Sequence, residues 1–299
     1  MVKDMNPLGL VKLTEIMELT SGSPDVVIGL LDGPVATDHP EFTSQNIRRM
    51  DGSTRSLCAK PKSLACSHGT FVASILSAKR GSSALAICPG CTLLLRPIFF
   101  EPACANELLL PTATPEELAG AVVECVNAGA RVLNLSVGLA QPSLRAEREL
   151  DEALNYALRR GTMVVAAAGN QGAVASSAIT RHPGVIPVVG FDRRGRPMSM
   201  SNIGSSIGRR GLGAPGEGVA GLSAESNLLS LSGTSIATPF VTGAIALLWS
   251  IFPEATAADL KLAVTNGSTP HRTSVVPPLL NALAAYQFMV KANSRRRIS

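Results

Sequence analysis

Ser232-Gly233-Thr234-Ser235-Ile236-Ala237-Thr238-Pro239 runs without interruption into an apolar stretch from Phe240 to Trp249. A serine among small residues, immediately ahead of a long helical pattern, stands at a helix start. The backbone N–H groups there lack intrahelical acceptors, and the positive end of the helix favours developing negative charge. Such a serine is placed as a nucleophile. A Gly-Thr-Ser alone is common, so the reading depends on whether the rest of the chain supplies a base and an orienting acid.

Two segments do. Val26-Val27-Ile28-Gly29-Leu30-Leu31-Asp32-Gly33-Pro34 is a continuous apolar run closing on Asp, Gly and Pro, which predicts a buried parallel strand with a carboxylate at its C-terminal end. Ser67-His68-Gly69-Thr70-Phe71-Val72-Ala73-Ser74-Ile75-Leu76 places a histidine just before an apolar helical segment. The resulting order Asp32, His68, Ser235 is one of three unrelated chain orders in which a single triad geometry recurs. In this reading His68 accepts the Ser235 proton, and Asp32 sets the imidazole tautomer. His39, His182 and His271 each adjoin a proline in a loop-like segment and lack the Gly-Thr context of His68.

Working outward, Leu93 to Ile98, Val132 to Val137, Met163 to Ala168 and Val185 to Val189 read as further apolar strands. Pro115 to Ala128 and Leu144 to Arg160 show helical periodicity between them, and Thr114-Pro115-Glu116-Glu117 is a helix start with cap, proline and acids in place. Strands alternating with helices predict an α/β fold with a mostly parallel central sheet and helices on both faces. The candidate residues then fall at strand ends and helix starts, where such sheets bind ligands.

From about Leu19 to Ala285 the chain resembles the subtilisin-like serine proteases (subtilases), on the three blocks around Asp32, His68 and Ser235. Leu31-Asp32-Gly33-Pro34-Val35, followed by His39-Pro40-Glu41-Phe42, is similar to the PatA/PatG-like branch of cyanobactin-maturation proteases. The resemblance implies a three-layer subtilisin-like fold. It implies Asn170, after the run Met163 to Ala168, as an oxyanion-hole donor. It also implies Ser136, Val137 and Gly138 as a substrate-aligning strand, with Ala167, Ala168 and Gly169 as the opposite wall of the first pocket. The chain departs from the common pattern at Gly33, where most relatives carry Ser or Thr, and at Phe71 and Phe240, where most carry histidines. An apolar packing pair behind the site is expected, and a weaker hold on Asp32.

Many relatives bind calcium. Glu41 lies where they carry a metal-binding Asp, but the loop Ser77-Ala78-Lys79-Arg80-Gly81-Ser82-Ser83 offers two cations and no carboxylate, so no high-affinity calcium, and no cofactor, is expected. Relatives that join peptide ends carry a helical insertion between the aspartate and histidine blocks. Here His68 follows Asp32 by only 36 positions, and Asn46 to Ala65 is polar without an amphipathic pattern. Hydrolysis of a peptide substrate, in particular selective cleavage of a ribosomally made precursor, is therefore the expected outcome. A general degradative protease and a peptide-binding pseudoprotease are the alternatives.

Composition bounds the rest. The 299 residues are 45% hydrophobic but only 4% aromatic, enough for one large enzyme domain of tightly packed layers. The expected organisation is an N-terminal extension (1–24), a peptidase domain (25–290) and a basic disordered tail (291–299). No apolar stretch reaches the roughly 20 residues of a membrane helix, and charges at Lys3, Asp4, Lys12, Glu15 and Glu18 break a secretory pattern. A cytoplasmic protein without a folding propeptide is expected, with no membrane partner. The net charge of +5 resides partly in Arg193-Arg194-Arg196, Arg209-Arg210 and Arg295-Arg296-Arg297, read as solvated surface or as attraction for an acidic peptide, and no nucleic-acid pattern accompanies them. Of six cysteines, Cys58/Cys66 and Cys88/Cys91 are close enough for loop disulfides, whereas a reducing compartment makes free thiols the default. Cys88-Pro89-Gly90-Cys91 has redox-motif spacing but lies in a loop before a strand, so no redox role is expected of it.

Overall fold

The computed structural model describes residues 6–42, 44–50, 58–99, 113–136, 144–225, 227–266 and 274–296. Seven strands form one parallel sheet: β1 (Val27–Asp32), β2 (Ile47–Arg49), β3 (Thr92–Pro97), β4 (Val132–Leu135), β5 (Met163–Ala167), β6 (Val185–Phe191) and β7 (Leu212–Pro215), in the spatial order β2-β3-β1-β4-β5-β6-β7. Ladders such as Leu31↔Arg96 and Leu31↔Leu135 place β1 near the middle. A separate antiparallel hairpin, β8 (Val219–Leu222) and β9 (Leu228–Leu231), precedes the serine block.

Because side chains alternate across a strand, residues apolar at every position bury both faces of the sheet. Leu30, Leu93, Leu95, Val132 and Val165 point into one core with α3 (Leu64–Ser77) and α8 (Thr234–Ile251). Leu31, Leu94, Leu133 and Val164 point into the other with α4 (Pro115–Asn127) and α5 (Leu144–Arg159). The capping box predicted at Thr114 is present, the Glu117 N–H donating to Thr114 Oγ1 at 3.2 Å. Helix α8 is apolar and long enough to match a membrane span by composition, but its window is 83% buried as the core helix of the fold.

The N-terminal extension packs on the main core through α1 (Pro7–Leu10) and α2 (Thr14–Leu19), with Val11, Leu13 and Ile16 fully buried. Two expectations are corrected. The predicted disordered tail is helical over 291–296, because α10 spans Ala282–Arg296. His68 does not precede its helix but sits within α3, which starts at Leu64 with Ser63 Oγ capping the Cys66 amide at 3.1 Å. The short helices α6 (Ala178–Arg181), α7 (Ser205–Arg210) and α9 (Ala257–Asn266) and a 3₁₀ turn (Ser44–Asn46) complete the described elements.

Candidate active site

Three elements from distant parts of the chain converge at the C-terminal edge of the sheet. Strand β1 ends at Asp32, which is fully buried; α3 presents His68; and α8 presents Ser235 in its first turn. His68 Nδ1 lies 2.7 Å from Asp32 Oδ1, and His68 Nε2 lies 3.0 Å from Ser235 Oγ. One tautomer satisfies both contacts: Nδ1–H donates to the carboxylate, and the serine hydroxyl donates to Nε2. Burial alone would lower the imidazole pKa, but the charge of Asp32 and its hydrogen bond together hold it above the ordinary 6.5.

The close approach of β1 and α3 is a backbone matter. A Cβ on Gly33 would overlap the carbonyl oxygen of Ala65, and one on Gly69 would overlap the carbonyl of Gly33. A Ser or Thr side chain has no room at position 33. The Gly33 amide instead donates to Asp32 Oδ1 at 2.7 Å, while Oδ2 has no partner among the described residues. Phe71 and Phe240 are both fully buried in the core beneath the site.

The helix that carries the serine is held by its own anomalies. Gly233, at φ +150°, caps α8 in a conformation that L side chains rarely adopt. Pro239 lies four residues after Ser235 and lacks the N–H that would bond the Ser235 carbonyl. That carbonyl is taken by Ser136 Oγ at 3.1 Å; Asn134 Nδ2 donates to Ser136 Oγ at 2.9 Å, and Thr242 Oγ1 donates to Asn134 Oδ1 at 2.8 Å. All three polar residues are buried. A proline inside a helix costs roughly 3 kcal/mol. Burial of Phe240, Ile245, Leu247 and Leu248, at about 1.5–3 kcal/mol each, more than offsets it.

Asn170 follows β5. Its Oδ1 accepts from both the amide and the hydroxyl of Thr234, at 2.9 and 3.0 Å, which turns Nδ2 the other way. A Cβ on Gly233 would lie 3.2 Å from Asn170 Nδ2 and 3.6 Å from both Asn170 Oδ1 and Ser235 Oγ, so the Asn170 amide and the serine hydroxyl border the same backbone position. The Ser235 amide, in the first turn of α8, has no intrahelical acceptor, so it and Asn170 Nδ2 are donors available beside the serine. Losing one such donor costs about 10²–10³ in kcat.

An alcohol poised on an imidazole that is itself fixed by a buried carboxylate, with the Asn170 amide alongside, defines a serine hydrolase acting through an acyl-enzyme. The chain belongs to the Subtilase family, which it matches over residues 23–282. It is 31% identical over 246 residues to subtilisin BL from Lederbergia lenta, covering 82% of this chain and 83% of that protein. It is 29% identical to a thermophilic serine proteinase from Bacillus sp. (strain AK1), over 78% of this chain, and spans only 54% of that protein's length. Among solved structures, the prenylagaramide maturation protease PagA superposes with a TM-score of 0.78 at 29% identity, covering 92% of this chain and 98% of that one. The patellamide maturation protease PatA superposes at 0.75 and 29%, covering 90% and 98%. These similarities agree with the branch that the Asp32 and His39 blocks resemble.

Of the substrate-strand candidates, Ser136 has its hydroxyl committed to Ser235, while Val137 and Gly138 lie outside the described residues. Ala167 ends β5 and Ala168 is buried just beyond it. Gly169, at φ +103°, begins the loop that carries Asn170. That loop is braced by Asn202, whose Oδ1 accepts from the amides of Gln171 and Ala173 at 3.2 and 3.0 Å and whose Nδ2 donates to Ala168 O at 3.3 Å. Asn202, Asn134 and Thr242 were invisible to motif reading, since each acts on a partner 29 to 108 positions away. The Ser-x-x-x-Pro spacing of 235 and 239 was the one local signal.

The loop that binds calcium in relatives does not fit the ion here. Lys79 Nζ donates to Pro40 O at 2.6 Å. The Arg80 guanidinium bonds the carbonyls of Ala86 and Ile87 at 3.2 and 2.9 Å, together with those of Met17 and Thr20. Backbone oxygens that a hard divalent cation would need are already occupied by fixed positive charge. Among the described residues no group of three or more His, Cys, Asp or Glu could hold a metal.

The thiols depart from the reduced default at one pair. Cys58 and Cys66 form a disulfide, whereas Cys88, Cys91 and Cys125 are free and buried. Hydrogen bonding to Cys91 and burial raise the Cys88 pKa, and burial pushes Cys125 up to about 12, so neither is poised as a nucleophile. Cys104 lies outside the described residues.

Proposed function

We infer that this subtilase is a hydrolytic endopeptidase that cuts a ribosomally made precursor peptide at a defined site. The observation that carries the catalytic part is the unbroken Asp32–His68–Ser235 hydrogen-bond chain beside Asn170. Ser235 Oγ attacks the scissile carbonyl as its proton passes to His68 Nε2. Asp32 stabilises the imidazolium, and Asn170 Nδ2 with the Ser235 N–H stabilise the oxyanion. The C–N bond then breaks as His68 protonates the leaving amine. Water repeats the addition with His68 again as base, releasing the acid and restoring the serine.

Precursor processing is supported by the likeness to maturation proteases over nearly their whole solved chains. Hydrolysis rather than joining of ends is supported by the stretch between Asp32 and α3. Its described residues hold one 3₁₀ turn (Ser44–Asn46) and β2, with no helix to screen an acyl-enzyme from water. The likeness to subtilisin BL favours the second reading, a general protease.

One assay set separates these. The protein should react with a fluorophosphonate at Ser235, and Ser235→Ala should abolish labelling. Incubated with candidate precursor peptides and with casein, it should release linear products from the former and leave the latter intact. Efficient casein digestion would replace precursor processing with general proteolysis. Absence of labelling would leave only a peptide-binding role.

A further inference from the structure

The disulfide lies at the hinge of the catalytic geometry. Cys66 is two residues ahead of His68, in the first turn of α3, and is joined to Cys58 eight positions earlier. Its neighbour Ala65 presents the carbonyl that abuts Gly33, directly after Asp32. Cys66 Sγ is 3.8 Å from Thr70 Oγ1, and Thr70 Oγ1 accepts the Ala36 amide at 3.0 Å, on the loop that leaves β1. The same turn therefore fixes the residue that follows the carboxylate and the helix that carries the imidazole. Cys58 is half-buried and Cys66 fully buried, so Cys58 is the sulfur a reductant can reach.

We propose that the Cys58–Cys66 disulfide is a redox-set positioning device for the catalytic histidine: closed, it holds α3 so that His68 meets both Asp32 and Ser235, and a dithiol reductant opens it and slows acylation. A thiolate of the dithiol attacks Cys58 Sγ, the S–S bond breaks and Cys66 leaves as a thiolate. The second thiol then displaces Cys58 from the mixed disulfide. The protein gains two electrons and two protons, and the reductant becomes a disulfide. In a reducing compartment such a bond is regulatory rather than structural. The proposal rests on His68 acting as the base but not on which peptide is cut.

The test follows the rate of fluorophosphonate labelling against pH, with the protein oxidised or treated with dithiothreitol, and folded content followed by circular dichroism at the same temperature. On reduction two further thiols should become titratable and the labelling rate should fall about tenfold, since misplacing a catalytic group by about 1 Å can cost up to 10²-fold. The acid limb should also move to lower pH as His68 loses close contact with Asp32. Reoxidation should restore both. Cys58→Ser should behave as the reduced protein and no longer respond to dithiothreitol, which isolates this pair from Cys88 and Cys91. The same rate and limb in both redox states overturns the proposal, as does a fall that tracks loss of folded protein. If the oxidised protein is not labelled at all, the proposal fails together with the catalytic reading, and that result is distinct from the other two.

Discussion

Asp32 is held without solvent contact, and its Oδ1 receives both the Gly33 amide and His68 Nδ1, so one oxygen anchors the loop and the base together. Its negative charge keeps the imidazole pKa above 6.5 against the effect of burial. Since only neutral His68 can accept the serine proton, activity should rise with pH through that elevated value. Asp32→Asn should lower kcat by about 10⁴-fold and move the acid limb of kcat/KM to lower pH, as a pH–rate profile would show. An unshifted limb would mean that Asp32 does not govern the base. Gly33 is set by space rather than by hydrogen bonding: Gly33→Ala drives a methyl into the Ala65 carbonyl. It should cost about 3 kcal/mol, read from the urea midpoint, with activity falling as β1 and α3 part.

At the scale of elements, α8 is a helix whose first turns are deliberately incomplete. Pro239 frees the Ser235 carbonyl for Ser136, and the buried chain through Asn134 to Thr242 returns to α8 one turn beyond the proline. The nucleophile is thus tied to the end of β4. Pro239→Ala supplies an N–H that competes for that carbonyl, and alanine suits a helix interior better than proline. Stability should be unchanged or higher while kcat falls about tenfold through misplacement of the nucleophile. Steady-state kinetics beside a thermal melt would separate the two effects, and an unaltered kcat would refute the tie.

For the whole molecule, the N-terminal helices are joined to the loop after α3 by Arg80, which spans the carbonyls of Met17, Thr20, Ala86 and Ile87. Arg80→Ala should reduce stability by about 1–2 kcal/mol, the lower range because the guanidinium is partly in water. Its melting temperature should drop by a few degrees. Neither chelator nor added calcium should move the melting temperature of the unaltered protein, and a calcium-dependent rise would overturn the assignment of this loop to fixed cations.

Local chemistry made much of this legible in the chain itself. Short apolar runs of five to seven residues closed by Gly, Pro, Asn or Asp suit strands buried on both faces, so β1, β3, β4, β5 and β6 were readable to within about two residues. Asp32, His68 and Ser235 announce themselves through small flanking residues and their order. Short elements such as β2, and the glycine-bearing β7, carry too little periodicity to be seen. The helical start of α3 at Leu64 and the docking of α1 and α2 come from side chains finding distant apolar partners, a cooperative outcome of packing. What only the tertiary structure decided was which polar atoms end up paired: Asn202 bracing the Asn170 loop, Asn134 and Thr242 behind the nucleophile, Arg80 on four carbonyls, and Cys58 bonded to Cys66. A buried donor must find an acceptor wherever the fold brings one within about 3 Å, and sequence distance says nothing of that.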